Sequence, residues 1–313
     1  MANSLEQAST SRLIKSELIA SEGWMSWASV AGTWIAWLTL TWFATAIPWW
    51  LLLPCAAFTM ALYGSLQHEA LHELMTTRRW LNHVAVYPPL SLWLPYPVYR
   101  ASHLAHHRKL HHLTDPHRDP ESYYVPAERW ATLPGWWRQI LVFNHTLLGR
   151  LTVGPFLIVG QFLRYEALAL RRGDRANLAY WLWHVPSVVL VLFWVTEVCG
   201  LPFWQYLLLF VLPGTSLGLV RSYCEHIAHE TPEERTALVE AGPLMSFLFL
   251  NNNLHYVHHK RPDLPWYAIP RYYREHRTLL RQENGHYVYD GGYLEVFRRF
   301  LFTPFDLPKH PFI

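Results

Sequence analysis

Two long stretches without charge dominate the hydropathy pattern of the chain. No Asp, Glu, Lys or Arg occurs from residue 23 to residue 67, a length about twice the ~20 residues that a helix needs to cross a bilayer. Pro48, followed by Trp49 and Trp50, marks a turn within this stretch, because proline disfavours continuing the preceding helix and Trp prefers the headgroup level. The stretch therefore predicts a helical hairpin with spans at about 24–47 and 49–67.

The same pattern returns later in the chain. Residues 176–196 and 203–220 are uncharged, and Gly200 and Pro202 lie in the polar break between them. This second hairpin predicts spans at about 177–197 and 203–221. We therefore expect an all-α membrane protein with a tail over 1–22 and a single domain over 23–313, in which about four transmembrane helices form two hairpins beneath a cytoplasmic helical cap.

The distribution of charge indicates which side of the membrane each segment faces. The turns near Pro48 and Gly200 hold no Lys or Arg, whereas basic residues occur in the tail, over 78–175 and after residue 221. The positive-inside rule places these three regions on the cytoplasmic side. The Arg residues are scattered rather than forming a stripe, so the net charge of +3 gives no case for nucleic acid as a partner.

Two further segments are apolar but interrupted. Residues 84–99 contain four prolines, and residues 140–163 contain Arg150. We interpret both segments as interfacial or re-entrant, since a helix that lies in the membrane plane needs no unbroken apolar run. The alternative, a fifth and a sixth span, would move the residues beyond each segment to the other side of the membrane.

Nineteen histidines are an unusually high count, and eight of them fall into three short motifs. His68 and His72, directly after the second predicted span, are four residues apart and so share one helix face. With Glu69 between them they also match the HExxH motif of zinc metalloproteases, in which the glutamate would be the general base. This first motif is ambiguous by itself.

The other two motifs share the spacing HxxHH. They are His103, His106 and His107, and, well over a hundred residues later, His255, His258 and His259. On a helix the first histidine of each motif lies near both members of the adjacent pair, while the pair itself diverges by about 100°. A neighbouring pair can thus serve two metal ions.

Eight clustered imidazoles require a physical explanation. They would repel one another if charged and would need polar partners if buried and neutral. Metal ions resolve both problems, and all-imidazole ligation suits iron, zinc, copper or nickel rather than magnesium or calcium. The three cysteines are isolated, which excludes a disulfide framework, a Cys-x-x-Cys metal site and a fused rubredoxin-like module.

Together these motifs resemble the integral-membrane fatty acid desaturase and hydroxylase superfamily over about residues 64–273. Besides the three histidine motifs, the resemblance rests on LTDP at 113–116, DPES at 119–122, RSYCEH at 221–226 and NNNL at 251–254. The chain looks most like bacterial proteins described simply as fatty acid desaturases. The resemblance implies that the three motifs bind two irons together with one more histidine, at the cytoplasmic end of the fourth span.

His226 stands where that additional ligand would be, with His229 as a competitor three residues along the chain. The resemblance then implies nine metal ligands, which are His68, His72, His103, His106, His107, His226, His255, His258 and His259. We expect His111 and His112 to be peripheral. Acids near the motifs are candidates to orient the histidines. They are Glu69, Asp115, Asp119, Glu225 and Asp263, of which we expect Asp263 to be a solvated carboxylate.

The resemblance also implies an activity, the O2-dependent introduction of a double bond into a fatty acyl chain carried by CoA, a carrier protein or a phospholipid. Neither end of the sequence shows a cytochrome b5 module, so we expect a separate electron donor such as ferredoxin, rubredoxin or cytochrome b5. We expect the enzyme in the bacterial inner membrane, with its active site on the cytoplasmic side, and we assign no catalytic residue beyond the metal ligands.

Other functions stay open at this point. A hydroxylase or ketolase acting on an alkane, fatty acyl or carotenoid substrate would share the scaffold, since the motif spacing does not fix the reaction. A membrane zinc metalloprotease built on His68, Glu69 and His72 would leave both HxxHH motifs unexplained. A metal transporter is disfavoured because the clustered histidines flank the predicted spans rather than lie inside them.

Overall fold

The computed structural model describes residue 13 and residues 15–313, and this part of the chain is mostly helical. Of the predicted tail, residues 1–12 and 14 lie outside the described residues, and residues 15–22 are helical. After this segment the α-helices are, in chain order, α1 (Trp24–Trp42), α2 (Trp49–Leu71), α3 (Arg79–Val84), α4 (Tyr96–His106), α5 (Ala127–Thr132), α6 (Gly135–Asn144), α7 (Leu147–Thr152), α8 (Gly154–Arg171), α9 (Leu178–Phe193), α10 (Phe203–Tyr206), α11 (Leu212–Ser222), α12 (Pro243–Leu248), α13 (His255–Lys260), α14 (Ile269–Glu283) and α15 (Gly292–Phe300).

Shorter elements complete the chain. Two π-helical turns, Trp194–Val198 and Leu207–Val211, extend α9 and join α10 to α11, and short 3-10 helices lie at Leu110–His112 and Pro232–Arg235. The strands β1 (Leu238–Val239) and β2 (Val288–Tyr289) pair in parallel. The turn before α11 has a cause in the sequence, because Pro213 has no N–H to donate and its ring disfavours the regular helical bond to the preceding turn.

Three helical stretches among the described residues are long and apolar enough to cross a membrane, namely Trp49–Leu71, Leu178–Val198 and Phe203–Ser222. They coincide with the second, third and fourth predicted spans. The first of the three is the central helix of the bundle, since 56% of its apolar stretch is buried, against 17% and 22% for the other two. The second and third therefore expose most of their apolar surface.

The predicted span at 24–47 differs from these three. Its helix, α1, has 19 residues and ends five residues earlier than predicted, and its five Trp and five Ser or Thr side chains make it less apolar. The hydroxyl of Thr33 donates to the carbonyl of Ser29 (2.8 Å), which satisfies it inside the helix. Edge-to-face contact of the Trp34 and Tyr63 rings, 5.9 Å apart, packs α1 against α2.

Residues 85–92 form no helix, yet Val86, Pro89 and Leu90 among them are buried. Side chains of the surrounding helices donate to their carbonyls. The pairs are Trp34 Nε1 to Ala85 (3.0 Å), Gln67 Nε2 to Val86 (3.0 Å), Tyr63 OH to Pro88 (2.6 Å), Tyr206 OH to Leu90 (2.8 Å) and His184 Nε2 to Leu92 (2.9 Å). Non-helical backbone at membrane depth is tolerated where protein buries it in this way, so the geometry fits the re-entrant interpretation of 84–99.

Residues 140–163 fall within α6, α7 and α8. None of these three helices is both long and apolar enough to cross a membrane. These helices expose large aromatic side chains, among them Trp136 and Phe156. α7 lies beside the end of the last span, where the hydroxyl of Ser216 donates to the carbonyl of Leu151 (2.8 Å). The interfacial interpretation of this segment stays a prediction.

The remaining elements form a helical cap against the ends of the spans. One cluster of buried residues joins α13 to α14 around Val257 and Leu280. A second joins the end of α11 to α15 through Tyr223, Cys224 and Val296. The cap also contains the β1–β2 pair, which the all-α prediction did not include. The histidine motifs lie at the boundary between the cap and the spans.

Candidate metal centre

The nine predicted ligands reach one region from four parts of the chain. His68 lies in the last turn of α2, and His72 directly follows the end of that helix. The second motif closes α4 and the third lies on α13. His226 follows α11 and forms an isolated β-bridge with Thr236. Each motif therefore sits at a helix end, where its side chains leave the packed bundle and can converge.

A sharp turn just before the third motif positions that motif in this region. Leu250 and Asn251 both adopt left-handed backbone (φ 47° and 57°), a conformation that Asn tolerates and Leu rarely adopts. Asn251 holds the turn, because its N–H donates to the carbonyl of Ser246 (2.7 Å) and its side-chain amide donates to the carbonyl of Trp266 (2.9 Å). The turn brings the ring of His258 onto the ends of α2 and α4.

The nine side chains form two groups, and within each group the ligand atoms lie within 4.8 Å of one another. The first group consists of His68, His72, His103, His107 and His258. The second group consists of His106, His226, His255 and His259. The adjacent histidines of each HxxHH motif belong to different groups, as their divergence of about 100° on a helix predicts. Each group could hold a metal ion.

Burial keeps most of these rings neutral. Desolvation, together with the neighbouring histidines, lowers the pKa of His258 and of His255 well below the ordinary value. His106 differs, because burial acts to lower its pKa but Glu121 and Asp119 outweigh it and raise the pKa. A neutral imidazole is the form that binds a metal ion. The nine rings together therefore favour binding a cation over taking up protons.

Four of the rings use Nδ1 for a hydrogen bond to an oxygen acceptor. These bonds run from His103 to Glu121 (3.1 Å), from His106 to Asp119 (2.7 Å), from His255 to Asn252 Oδ1 (3.0 Å) and from His226 to the carbonyl of Arg235 (3.3 Å). Because carboxylate and carbonyl oxygens only accept, Nδ1 carries the proton in each ring. Nε2 is then left with its lone pair, as a metal ligand requires.

These lone pairs face one another in the second group. Nε2 of His226 lies 3.2 Å from Nε2 of His106 and 3.1 Å from Nε2 of His255. Two imidazole nitrogens bound at about 2.1 Å to one ion lie about 3.0–3.4 Å apart, so the spacing suits a shared cation. In the first group Nε2 of His72 is buried and has no hydrogen-bond partner among the described residues. Both groups therefore fit a metal ion.

A family model described as fatty acid desaturase matches residues 44–291 of the chain, a range that contains all nine clustered histidines. The chain belongs to the fatty acid desaturase family. No curated protein matches it at a significant level. The family expected from the sequence is thus confirmed, and the chain is a membrane enzyme with two histidine groups for metal ions.

Glu69, the glutamate of the HExxH pattern, serves this desaturase-family enzyme as a structural acceptor. Its Oε1 accepts the backbone N–H of Trp266 at 3.1 Å, and the indole of Trp266 donates to Ser26 at 3.1 Å. The carboxylate thereby ties the first motif to the loop that follows the third motif. This use of Glu69, and the assembly of both HxxHH motifs into the metal groups, argue against a zinc protease.

Two of the predicted orienting acids, Asp119 and Glu225, contact clustered histidines. Glu225 lies 3.4 Å from Nδ1 of His255 and accepts from Arg221 at 2.8 Å. Burial raises the pKa of Glu225 to about 7, although Arg221 acts to lower it. The other acids have different partners, since Asp115 accepts the N–H of His117 (2.8 Å) and Asp263 pairs with Arg261 (2.8 Å).

The sequence did not predict Glu121 and Asn252 as partners of the clustered histidines. Glu121 lies two residues after Asp119, and Asn252 lies three residues before His255, both inside segments that carry the family resemblance. Polar residues at these short spacings from a metal ligand are the signal that could have found them. Which of several neighbouring polar side chains turns toward a ring depends on the loop conformation.

The structure separates the two candidates for the ninth ligand, His226 and His229. His226 belongs to the second group, whereas His229 is exposed, lies outside both groups and is 3.5 Å from Glu234. His111 and His112 also lie outside both groups and pack on each other, with ring centroids 4.5 Å apart.

A cleft of about 420 Å³ opens from the polar face of the cap toward both groups. Its lining residues are His106, His107, Leu110, Thr231, Glu233, Tyr256, His259, Lys260 and Glu283. At its base the rings of His107, from the first group, and His259, from the second, stack with centroids 4.2 Å apart and an interplanar angle of 12°. Lys260 and Glu283 form an ion pair on its wall. The cleft thus connects solvent to both metal groups.

Proposed function

We propose that the enzyme is an O2-dependent di-iron oxidoreductase that introduces a double bond into a fatty acyl chain. The observation that carries the proposal is the convergence of nine imidazoles, as five and four, at the ends of membrane helices in a chain of the desaturase family. All-imidazole groups suit iron among the biological cations. We assign all nine clustered histidines as the ligands of the two ions.

Iron, when bound, would supply the chemistry of O2 activation that makes an unactivated C–H bond reactive. The chain's own residues prepare the place for it. Asp119 and Glu121 hold the protons on Nδ1 of His106 and His103, so that Nε2 of each ring faces the ion site. His103, His255 and His258 are almost fully buried, which excludes water from the inner side of the centre.

The balance of the reaction requires a reductant. Reduction of O2 to two waters takes four electrons, of which removal of two hydrogens from the acyl chain supplies two. The other two must come from a donor, which we propose to be a separate protein such as ferredoxin, rubredoxin or cytochrome b5. The cleft over His107 and His259 is the approach from solvent to both groups, and we propose that the donor binds there.

The family and the spans support our proposals for the substrate and the location. We propose an acyl chain linked to CoA, a carrier protein or a phospholipid, whose apolar part approaches the centre from the side of the spans. The excess of Lys and Arg outside the two predicted turns supports a cytoplasmic position of the histidine groups. For a bacterial protein this membrane is the inner membrane.

Expression in a bacterial host with mass spectrometry of total lipids tests the activity. The wild type should yield an acyl product two hydrogens lighter than a host chain, and His258→Ala should yield none while it still inserts into the membrane, because α13 lies outside the spans. His229→Ala is the matched control, because it removes an exposed imidazole outside both groups, and it should keep the product.

Other outcomes would reassign the reaction. A product heavier by one oxygen would make the enzyme a hydroxylase or ketolase on the same scaffold. Product formation by His258→Ala at the wild-type level would contradict the nine-ligand assignment. Peptide cleavage that needs zinc and no O2 would replace the proposal by the protease.

A further inference from the structure

A segment beyond the metal ligands exposes large apolar side chains although it belongs to none of the candidate spans. In α15 Val296 is fully buried, whereas Leu294 is 57% and Phe297 45% exposed. Phe302, just after the helix, is 75% exposed. Single exposed apolar residues are ordinary on a protein surface, but several large ones within nine residues indicate a binding surface.

The side chains of α15 divide between a buried side and an exposed side. At about 100° per residue, Leu294 and Phe297 lie within about 60° of one another, and Val296 lies about 160° from Leu294. Arg298 is exposed about 40° from Leu294, whereas Arg299, about 140° from Leu294, pairs with Glu295 at 2.6 Å. One side therefore faces the protein core, and the other is apolar and uncovered, with a cation at its edge. This arrangement is typical of helices that lie in a membrane interface.

Hydrogen bonds to neighbouring helices fix the level of the C-terminal segment relative to the end of the last span. The carbonyl of Leu301 accepts the N–H of Leu148 in α7 (3.0 Å), and the carbonyl of Leu151 in α7 accepts from Ser216 in α11 (2.8 Å). Ser216 precedes the last residue of that span, Ser222, by six residues, or about 9 Å of helix. The C-terminal segment is thus bonded to a helix that lies level with the last turns of a span.

Neighbouring helices expose apolar side chains in the same layer. Phe143 of α6 and Phe156 of α8, on either side of α7, are uncovered. Leu307 farther along the C-terminal segment is exposed as well, and Lys309 beside it adds a second exposed basic position after Arg298. A lipid surface, apolar inside and anionic at the headgroups, matches both features of this layer.

We propose that α15 and residues 301–307 insert into the interface of the leaflet at which the histidine groups lie, with acyl chains covering Leu294, Phe297 and Phe302 and with Arg298 at the lipid phosphates. The insertion bears on the metal centre because Val296 packs in one cluster with Tyr223 and Cys224, which directly precede Glu225 and His226. Val296 thereby links α15 to the residues that directly precede a histidine of the second group.

Site-directed fluorescence in vesicles tests the proposal without any activity assay. The full chain carries Cys55→Ser and Cys199→Ser, while Cys224 is fully buried and stays. A polarity-sensitive thiol probe is attached at Phe302→Cys or, as the matched control, at Gln282→Cys on the exposed side of α14. The protein is reconstituted in phosphatidylcholine–phosphatidylglycerol vesicles and quenched with iodide or with spin-labelled lipid.

The expected result is that spin-labelled lipid quenches the probe at position 302 at least about fivefold more than iodide does, and that the order is reversed at position 282. Equal quenching of both probes by iodide would overturn the proposal. Protection of position 302 from both quenchers, lost on dilution with lipid, would overturn it in favour of a second copy of the chain. Leu294→Cys provides an independent probe position if Phe302→Cys does not fold.

Discussion

The metal centre depends, residue by residue, on which nitrogen of each imidazole carries the proton. Asp119 and Glu121 decide this for His106 and His103. The spacing of the HxxHH motifs predicted how the histidines divide between two groups, because helical periodicity is a local property. It could not predict these acceptors, because their loop is held by distant contacts such as that of Arg235 with the carbonyl of Leu113 (2.9 Å).

Asp119→Asn should weaken metal binding in the second group by about 10- to 100-fold. The amide can turn its NH2 toward Nδ1 of His106, which favours the tautomer with its proton on Nε2 and so blocks the ligand atom. Competition with a chromogenic chelator measures the affinity. Asp115→Asn is the control, since this nearby acid bonds the N–H of His117, and it should bind metal like the wild type. Equal affinities of the two variants would contradict the role of Asp119.

Glu69 allows a second test at the residue scale. Glu69→Gln should keep activity within about threefold of the wild type, because the amide oxygen can still accept the N–H of Trp266, whereas Glu69→Leu leaves that partly buried donor without a partner. We expect Glu69→Leu to lose most activity and bound metal. Lipid product and metal content, measured together, check both variants. Complete loss of activity in Glu69→Gln with full metal content would instead indicate that Glu69 acts chemically.

At the scale of whole elements, the uncharged runs predicted the positions of the helices more accurately than the residues at which the helices end. The three candidate spans lie where the sequence predicts them, because bilayer thickness dictates the length of an apolar run. α1 ends five residues earlier than predicted. The sequence did not show this end, because no charged residue marks it. From the sequence, 85–92 could be predicted only as a segment that its prolines keep from being helical. How it packs could not be predicted, because the side chains that donate to its carbonyls come from helices distant in sequence.

Tyr206→Phe tests how that non-helical segment is held. The Tyr206 hydroxyl is fully buried, donates to the carbonyl of Leu90 (2.8 Å) and accepts from Trp37 Nε1 (3.1 Å). Its removal leaves two buried groups unpaired, which costs about 1–3 kcal/mol for each group left without a partner. We expect a lower midpoint of thermal unfolding in detergent. Tyr180→Phe, at an exposed tyrosine of α9, should leave the midpoint unchanged, and equal midpoints for both variants would contradict the assignment.

At the scale of the whole molecule, the centre exists only where the spans and the cap are folded together. The histidines of its two groups come from residues 68–72, 103–107, 226 and 255–259. The sequence singled out these nine histidines, eight of them through three short motifs and His226 through the family resemblance. It could not predict the stacking of His107 on His259, because that contact depends on how α4 and α13 meet, which long-range packing decides.

Because distant segments supply the ligands, metal binding should stabilise the whole fold. An ion that binds the folded state alone adds about 2.7 kcal/mol per site when its free concentration is 100 times its dissociation constant. Chelation should therefore lower the midpoint of thermal unfolding in detergent, and added ferrous iron should restore it. His258→Ala, which removes a ligand of the first group, should lose part of this metal-dependent shift, whereas His229→Ala should keep all of it. If chelation and iron left the wild-type midpoint unchanged, the two histidine groups would be packed side chains rather than a metal centre, since nine converging imidazoles gain stability from a cation only if they bind one.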